Sequence, residues 1–206
     1  MTKKERAKIV MTELEKIYPE VPIPLNHRNA YELLVAVALS AQTTDKKVNE
    51  VTPKLFSVAP NPEKMAALEE PEIKELIKEI GLSTTKAKNL KLMANQLLER
   101  HNGEVPYNFE DLENLAGVGH KTASVVMSQA FGFPAFPVDT HIHRLMKQWK
   151  LTEGKNVVQT ENDAKKLFPK ETWNKLHLQI IFYGREYSPA RGNQEKDYLT
   201  KMLFEK

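Results

Sequence analysis

Lys121 and Asp139 are the two residues whose types and positions could support covalent chemistry on a carbonyl carbon. Lys121 follows a Gly-Val-Gly turn and falls in the first turn of a predicted helix, where the positive end of the helix dipole disfavours a protonated amine. A neutral amine can attack an aldehyde and form a Schiff base. A solvated or phosphate-binding lysine is the alternative, and the local sequence leaves both open.

Asp139 follows a proline break at Pro137 and precedes a predicted helix that begins at Thr140. This order predicts that Asp139 is the N-cap of that helix. A carboxylate in this position accepts backbone N–H bonds and stays ionised, so it can stabilise positive charge and act as a weak base. A cap without any chemical role is the alternative.

A glycine turn between two predicted helices lies directly before Lys121. One helix ends ahead of Gly117, Val118 and Gly119, and the next begins near His120. Glycines permit backbone angles that are closed to other residues, and they let a second backbone approach closely. The free N–H groups of the second helix then form a phosphate site. This arrangement is typical of a helix–hairpin–helix that grips a nucleic-acid backbone without reading bases, with a simple glycine-capped αα-turn as the alternative.

Apolar residues recur at helical spacing along the chain, and strand alternation is scarce. Residues 30–39 are almost wholly apolar and predict a buried helix, while the 73–80 stripe has Pro71 in its first turn and Gly81 as its stop. The sequence therefore predicts an all-α protein. Further stripes predict helices over 10–17, 87–98 (behind a polar cap at 83–85), 142–149 and 173–187.

Composition narrows the function classes. The net charge of +3 permits a nucleic-acid partner without requiring one, and the absence of cysteine excludes disulfides, thiolate zinc sites and thiolate-bound iron–sulfur clusters. The sequence holds neither an apolar run long enough to span a membrane nor a signal-peptide pattern at its start, so we expect a cytoplasmic protein. Segment 131–137, with two prolines and a glycine, has the composition of a linker.

The segments around Lys121 and Asp139 resemble the endonuclease III family of DNA glycosylases. Residues 115–144 contain Gly-Val-Gly-His-Lys-Thr-Ala and Phe-Pro-Val-Asp-Thr-His-Ile-His-Arg, which are similar to the hairpin and catalytic loop of that family. The resemblance covers roughly residues 5–187 in order, and it includes segments 39–45, 80–89 and 101–106.

The resemblance implies two helical domains and a DNA substrate. The domains would be a central barrel at 22–134, with the helix–hairpin–helix near 109–130, and a second domain built from 1–21 plus 135–206. The implied activity is that of a bifunctional base-excision glycosylase and abasic-site lyase. Such an enzyme removes oxidised pyrimidines from double-stranded DNA and nicks the strand by β-elimination, and it would associate with the nucleoid through DNA.

Residue roles follow from the same resemblance. Lys121 matches the lysine that attacks the deoxyribose C1′, and Asp139 matches the catalytic aspartate. Gln42 matches a residue that enters the duplex, and Leu82 falls in a wedge loop, although a helix C-cap hydrophobe is the alternative for Leu82. The residues assigned to DNA contact are Gln42, Leu82, Gly117, Val118, Gly119, His120, Thr122 and His141, the last of which we also expect to support the loop of Asp139.

The departure from the family lies in the tail. Most relatives carry four cysteines that ligate a [4Fe–4S] cluster, whereas this chain has Ser188 in the first ligand position and no cysteine after it. We expect no cluster and no metal cofactor, because His141 and His143 would point away from each other on a helix. The sequence does not decide whether the hairpin carbonyls bind a monovalent cation. Apolar spacing in the tail predicts a last packing helix with Tyr198, Leu199, Met202 and Leu203 on its inner face.

Two alternatives to the bifunctional enzyme remain at this stage. One is a monofunctional glycosylase of the same superfamily, whose adenine-removing branch lacks the lysine. The other is a non-enzymatic helix–hairpin–helix DNA-binding module, which needs only the glycine turn.

We expect a monomer, and we expect Lys86, Lys88 and Lys91 to form a solvated helix face, with the first two available for phosphate contacts.

Overall fold

The computed structural model describes residues 1–205, in which every regular element is helical and no β-strand occurs. The all-α prediction is confirmed. No helix in this part of the chain is long and apolar enough to cross a membrane. The helices are α1 (Lys3–Ile17), α2 (Ala30–Ser40), α3 (Asp45–Val58), α4 (Pro62–Ala67), α5 (Glu70–Leu76), α6 (Ser83–His101), α7 (Phe109–Glu113), α8 (His120–Phe131), α9 (Thr140–Gln148), α10 (Val157–Leu167), α11 (Trp173–Glu186) and α12 (Tyr198–Phe204), with a 3-10 turn at Lys170–Thr172.

The chain forms two compact units, each with its own hydrophobic core. The central unit is Ile23–Gly132 and contains α2 to α8. The terminal unit joins Met1–Pro22 to the chain from Phe133 onward and contains α1 and α9 to α12. Lys121 belongs to the central unit and Asp139 to the terminal unit.

Helix α2 is the buried centre of the Ile23–Gly132 unit. The side chain of Asn29 caps it by accepting a hydrogen bond from the backbone N–H of Glu32. Its residues are apolar around most of the circumference, so the helix is stable only when it is covered on all sides, and α3, α6 and α8 pack against it. The buried helix predicted over 30–39 is therefore confirmed.

The helix predicted over 73–80 is shorter in the structure. Helix α5 ends at Leu76, and the chain then turns so that the N–H of Ile80 bonds to the carbonyl of Ile77. Both isoleucines are nevertheless buried. The apolar spacing correctly predicted which side chains reach the core, but a turn presents the last two of them, so extending the helix to Gly81 was wrong.

The terminal unit ends in a packed helix. Leu199 and Leu203 of α12 are buried in the core of this unit, as the spacing predicted. Met202 is 45% exposed, so its assignment to the inner face was wrong. Helix α12 has seven residues and therefore only about two turns. Each turn buries one residue against the core of the unit, Leu199 in the first and Leu203 in the second.

A buried carboxylate holds the tail in place. Asp197 is 3% exposed, and its Oδ1 accepts hydrogen bonds from the Tyr183 hydroxyl at 2.8 Å and from the Thr200 N–H at 3.1 Å. Its Oδ2 accepts from Gln148 Nε2 at 2.7 Å and from the Thr200 hydroxyl. Burial raises the pKa of Tyr183, so this hydroxyl remains a donor. The rings of Tyr187 and Tyr198 pack beside it.

We expect Asp197→Ala to destabilise the terminal unit. The change leaves the buried Tyr183 hydroxyl without its acceptor and removes one of the two acceptors of the Gln148 amide, at a cost of about 3 kcal/mol. The melting temperature should fall by roughly 6–12 °C in a protein of this size. The matched control is Glu195→Ala, because Glu195 lies in the same segment with an exposed side chain. Equal melting temperatures for the two variants would show that the carboxylate does not anchor the tail.

Candidate active site and nucleic-acid interface

The hairpin before α8 has the geometry that the glycine turn predicted. The N–H of Val118 donates to the carbonyl of Leu115 at 3.1 Å, and Gly117 adopts a φ of +75°. The side chain of Val118 is 7% exposed and belongs to the core of the central unit. The side chain of Val118 therefore anchors the hairpin from inside, and the assignment of this residue to DNA contact stays a prediction.

Helix α8 begins without a capping side chain. Gly119 occupies the N-cap position and has no side chain that could accept from the N–H groups of the first turn. The N–H groups of a first turn and the positive end of the helix dipole favour an anion at such a position. Lys121 is the second residue of α8 and is exposed, and its amine has no hydrogen-bond or ion-pair partner among the described residues of its unit. Thr122 follows and is half-buried.

His120 is held against the preceding helix. Its Nδ1 lies 2.7 Å from Oε1 of Glu113, and its ring stacks on Phe109 with centroids 5.6 Å apart. The side chain remains 53% exposed. The contacts with α7 thus fix the imidazole beside the open turn of α8, where we expected a phosphate contact.

Helix α6 braces the hairpin, which the sequence reasoning did not foresee. Gln96 Oε1 accepts from the backbone N–H of Ala116 at 2.8 Å. One face of the same helix presents Asn89, whose side chain would lie 3.2 Å from a methyl group placed on Gly117. Lys86, Asn89 and Gln96 share one face of α6, because they are spaced three and seven residues apart. This spacing was the signal that could have revealed the contact with the hairpin.

The two hairpin glycines have different roles in the structure, and alanine substitutions should separate them. Gly117→Ala forces a side chain into the left-handed region and against Asn89, so we expect a loss of about 1–2 kcal/mol. The φ of Gly119 is −96° and a methyl there meets nothing within 4 Å. Gly119→Ala should keep its melting temperature and bind DNA about ten-fold more weakly, because the methyl obstructs one charge-assisted phosphate bond.

Melting curves and fluorescence anisotropy with an abasic-analogue duplex measure both quantities. A Gly119→Ala variant with unchanged affinity would contradict the close approach of a phosphate at that residue.

Gln42 and Leu82 lie on neighbouring turns of the central unit. Both adopt left-handed backbone angles, with φ of 56° and 60°, although neither is glycine. Gln42 is exposed and Leu82 is 58% exposed. Leu82 stands at the N-cap position of α6, so the alternative role as a helix C-cap hydrophobe is wrong. The polar cap predicted at 83–85 is also wrong, because the helix already begins at Ser83. Strained, exposed residues of this kind concentrate at functional sites.

Two lysines of α6 are not solvated, contrary to the sequence expectation. Lys86 is 8% exposed and donates to the carbonyls of Leu39 and Ala41 and to the Thr43 hydroxyl, and burial lowers its pKa. Lys91 donates to two carbonyls at the end of α4. The stems of both cross apolar surface to reach backbone acceptors. Lys88 is exposed, as expected.

Asp139 is the N-cap of α9, as predicted from the sequence. Its Oδ1 accepts a hydrogen bond from the N–H of Ile142 at 2.8 Å. The side chain is half-buried, and its Oδ2 does not take part in the cap. The cap uses one carboxylate oxygen, so the second is available for chemistry.

His141 is the second residue of α9 and rests on α11. A methyl group on Gly184 would come within 2.9 Å of its Nδ1, so only glycine accommodates the ring there. Burial lowers the pKa of His141, with Arg144 and Arg185 acting in the same direction against the Asp139 carboxylate, which favours a neutral imidazole. His143 instead contacts the Thr160 hydroxyl through Nδ1, and the two histidines share no site.

The residues at the family's cluster position do not fit an iron–sulfur cluster. Ser188 is fully buried, and its hydroxyl and carbonyl oxygens accept hydrogen bonds from the Arg144 guanidinium. A hydroxyl engaged by a cation cannot replace a thiolate ligand, and the sequence contains no cysteine. Within residues 1–205, no group of three or more His, Asp or Glu side chains is arranged to hold a metal ion.

Sequence comparison relates the chain to base-excision repair proteins. Residues 35–170 match the family described as HhH-GPD superfamily base excision DNA repair protein. The chain is 44% identical over 191 residues to endonuclease III of Haemophilus influenzae, covering 93% of this chain and 90% of the relative. Endonuclease III of Escherichia coli K12 has the same identity and coverage.

Structural comparison agrees. A trapped endonuclease III–DNA covalent intermediate has a TM-score of 0.91 at 40% identity, covering 94% of this chain and 92% of that chain. A non-covalent endonuclease III–DNA complex has a TM-score of 0.92 at 39% identity, with coverages of 97% and 95%. These matches agree with the all-helical fold, the glycine hairpin and the first-turn lysine. They show that the chain belongs to the endonuclease III family of helix–hairpin–helix DNA glycosylases and abasic-site lyases.

Proposed function

We propose that this chain removes oxidised pyrimidines from duplex DNA and nicks the resulting abasic site, with Lys121 as the nucleophile. The amine attacks C1′ of the damaged deoxynucleotide, and the new C–N bond forms as the bond to the base breaks. The released base takes up a proton. The sugar ring then opens to a Schiff base, and loss of a proton from C2′ expels the 3′ phosphate by β-elimination.

The observation that carries this proposal is the state of Lys121. It is an exposed lysine on the uncapped first turn of α8, directly after a hairpin built to bind phosphate, and it has no partner within its unit. A lysine whose function was structural would be expected to pair with a carboxylate or a carbonyl. Its position therefore fits attack on a sugar whose flanking phosphates bind at the hairpin.

Asp139 supplies the partner carboxylate in this proposal. The oxygen outside the cap can stabilise the positive charge that develops on the sugar and the iminium nitrogen, and it can accept a proton. His141, kept neutral by burial, supports the same turn and adds a contact to DNA.

The remaining residues bind and open the duplex. Gly117, Gly119, His120 and Thr122 hold phosphates at the start of α8, while Gln42 and Leu82 enter the base stack where the damaged nucleotide leaves. An enzyme that acts on one lesion at a time has no need of symmetry, so we propose a monomer.

Borohydride trapping tests the proposal. A duplex containing one abasic site, incubated with the protein and sodium borohydride, should give a covalent adduct, because reduction converts the Schiff base to a stable amine. A duplex containing 5-hydroxyuracil should give the same adduct more slowly and release the base. DNA binding without an adduct would favour the non-enzymatic DNA-binding module, and base release without an adduct would favour a monofunctional glycosylase.

A further inference from the structure

Lys86 has the contacts of a buried structural cation at the edge of a functional loop. Its ammonium donates three hydrogen bonds, to Leu39 O at 3.0 Å, Ala41 O at 2.6 Å and the Thr43 hydroxyl at 3.1 Å. An ammonium group has three donors, so all of its capacity is used inside the protein. No donor is left for a phosphate.

These acceptors surround Gln42. Leu39 lies in the last turn of α2, where the negative end of the helix dipole favours a cation. Ala41 and Thr43 are the two chain neighbours of Gln42, so the ammonium is bonded on both sides of that residue. Gln42 itself is exposed at a φ of 56°. A non-glycine residue keeps this angle only where its surroundings impose it.

Lys86 is also bonded to Leu82. Its backbone N–H donates to the Leu82 carbonyl at 2.9 Å and closes the first turn of α6. A methyl group on Gly81 would lie 3.9 Å from the Gln42 carbonyl and 4.0 Å from the Thr43 hydroxyl, so the two turns run in close contact. Lys86 thus connects Gln42 and Leu82, which are two of the three non-glycine residues of this unit with a positive φ.

We propose that Lys86 is a positioning residue for base extrusion, holding Gln42 and Leu82 together as one rigid pair. This inference rests on the proposed function, in which both residues enter the duplex. Opening a base stack requires that the inserted side chains be ordered before contact, since ordering them during insertion would consume binding energy. The three bonds from Lys86 supply that order, at a distance from the reacting atoms.

Lys86→Met tests the inference. Methionine keeps the unbranched stem and the helix propensity while removing the charge and all three donors. Lys91→Met is the matched control, because Lys91 lies on the same helix and donates to the carbonyls of Ala66 and Leu68, away from both turns. Both variants lose a lysine that binds carbonyls at a helix end, and both should lower the melting temperature.

The readout is a ratio of two single-turnover rates on the same duplex sequence. One is base release from 5-hydroxyuracil, which requires extrusion of a stacked base, and the other is nicking of a preformed abasic site. We expect Lys86→Met to lower this ratio by roughly 10- to 100-fold, the scale of a displacement of about 1 Å near a reacting group. Fluorescence of a 2-aminopurine opposite the lesion should rise more slowly by a similar factor. Lys91→Met should keep both the wild-type ratio and the wild-type fluorescence rise.

The outcomes separate the two proposals. A wild-type ratio in Lys86→Met would overturn the positioning role while leaving the enzymatic assignment intact. A wild-type protein that forms no borohydride adduct would contradict the Schiff-base mechanism of the proposed function. If Lys86→Met melts below the assay temperature, Thr43→Val replaces it, because that change removes one acceptor at similar volume. An unchanged ratio in Thr43→Val would then overturn the inference.

Discussion

Lys121→Gln is expected to abolish strand cleavage and borohydride trapping on abasic DNA while leaving the protein folded. Glutamine has a similar length and helix propensity but no nucleophilic amine, so no Schiff base can form. Because Lys121 is exposed and unpaired within its unit, its replacement should change stability by no more than about 0.5 kcal/mol. Gel detection of the reduced adduct, beside a thermal melt, measures both effects.

Lys64→Gln is the matched control for this experiment. Lys64 is also an exposed lysine in the first turn of a helix of the central unit, and that helix is capped by Asn61. It should trap and cleave like the wild type. An undiminished adduct in Lys121→Gln would remove Lys121 from the mechanism and direct the search to another amine.

Asp139→Asn is expected to retain the fold and lose turnover by roughly 10²-fold or more, the scale of removing an acid–base group. Asparagine ranks beside aspartate as an N-cap, and its side-chain oxygen can still accept from the Ile142 N–H. DNA affinity should hardly fall, because the change removes a negative charge that would face phosphates. Single-turnover cleavage of an abasic duplex measures the loss of turnover, and a thermal melt measures the stability of the variant.

Asp139→Ala separates the cap from the chemistry. It loses both roles, so it should match Asp139→Asn in turnover and melt lower, with a cost of about 1 kcal/mol for the missing cap. A purely structural aspartate would give the reverse pattern, with Asp139→Asn cleaving at the wild-type rate. In that case the catalytic assignment would reduce to Lys121 alone.

Local sequence patterns predict much of the fold. The apolar run over 30–39, the glycine turn before His120 and the proline break before Asp139 each correspond to a helix or cap in the structure. These features could be predicted because helix periodicity and capping depend on residues within one or two turns of each other. The matched relatives agree with the function that the same segments indicated.

The sequence by itself determined most of the helices, the hairpin and the chemical types of Lys121 and Asp139, because each is set by neighbours along the chain. Only the tertiary structure decided that Lys86 is buried against the turn of Gln42, that Val118 points inward, and that Asp197 organises the tail. A lysine, a valine and an aspartate on an amphipathic segment look the same whether they face water or a neighbouring helix. Whether each of these side chains is buried depends on hydrogen-bond acceptors and cavities that residues far away in sequence supply. Local periodicity cannot predict them.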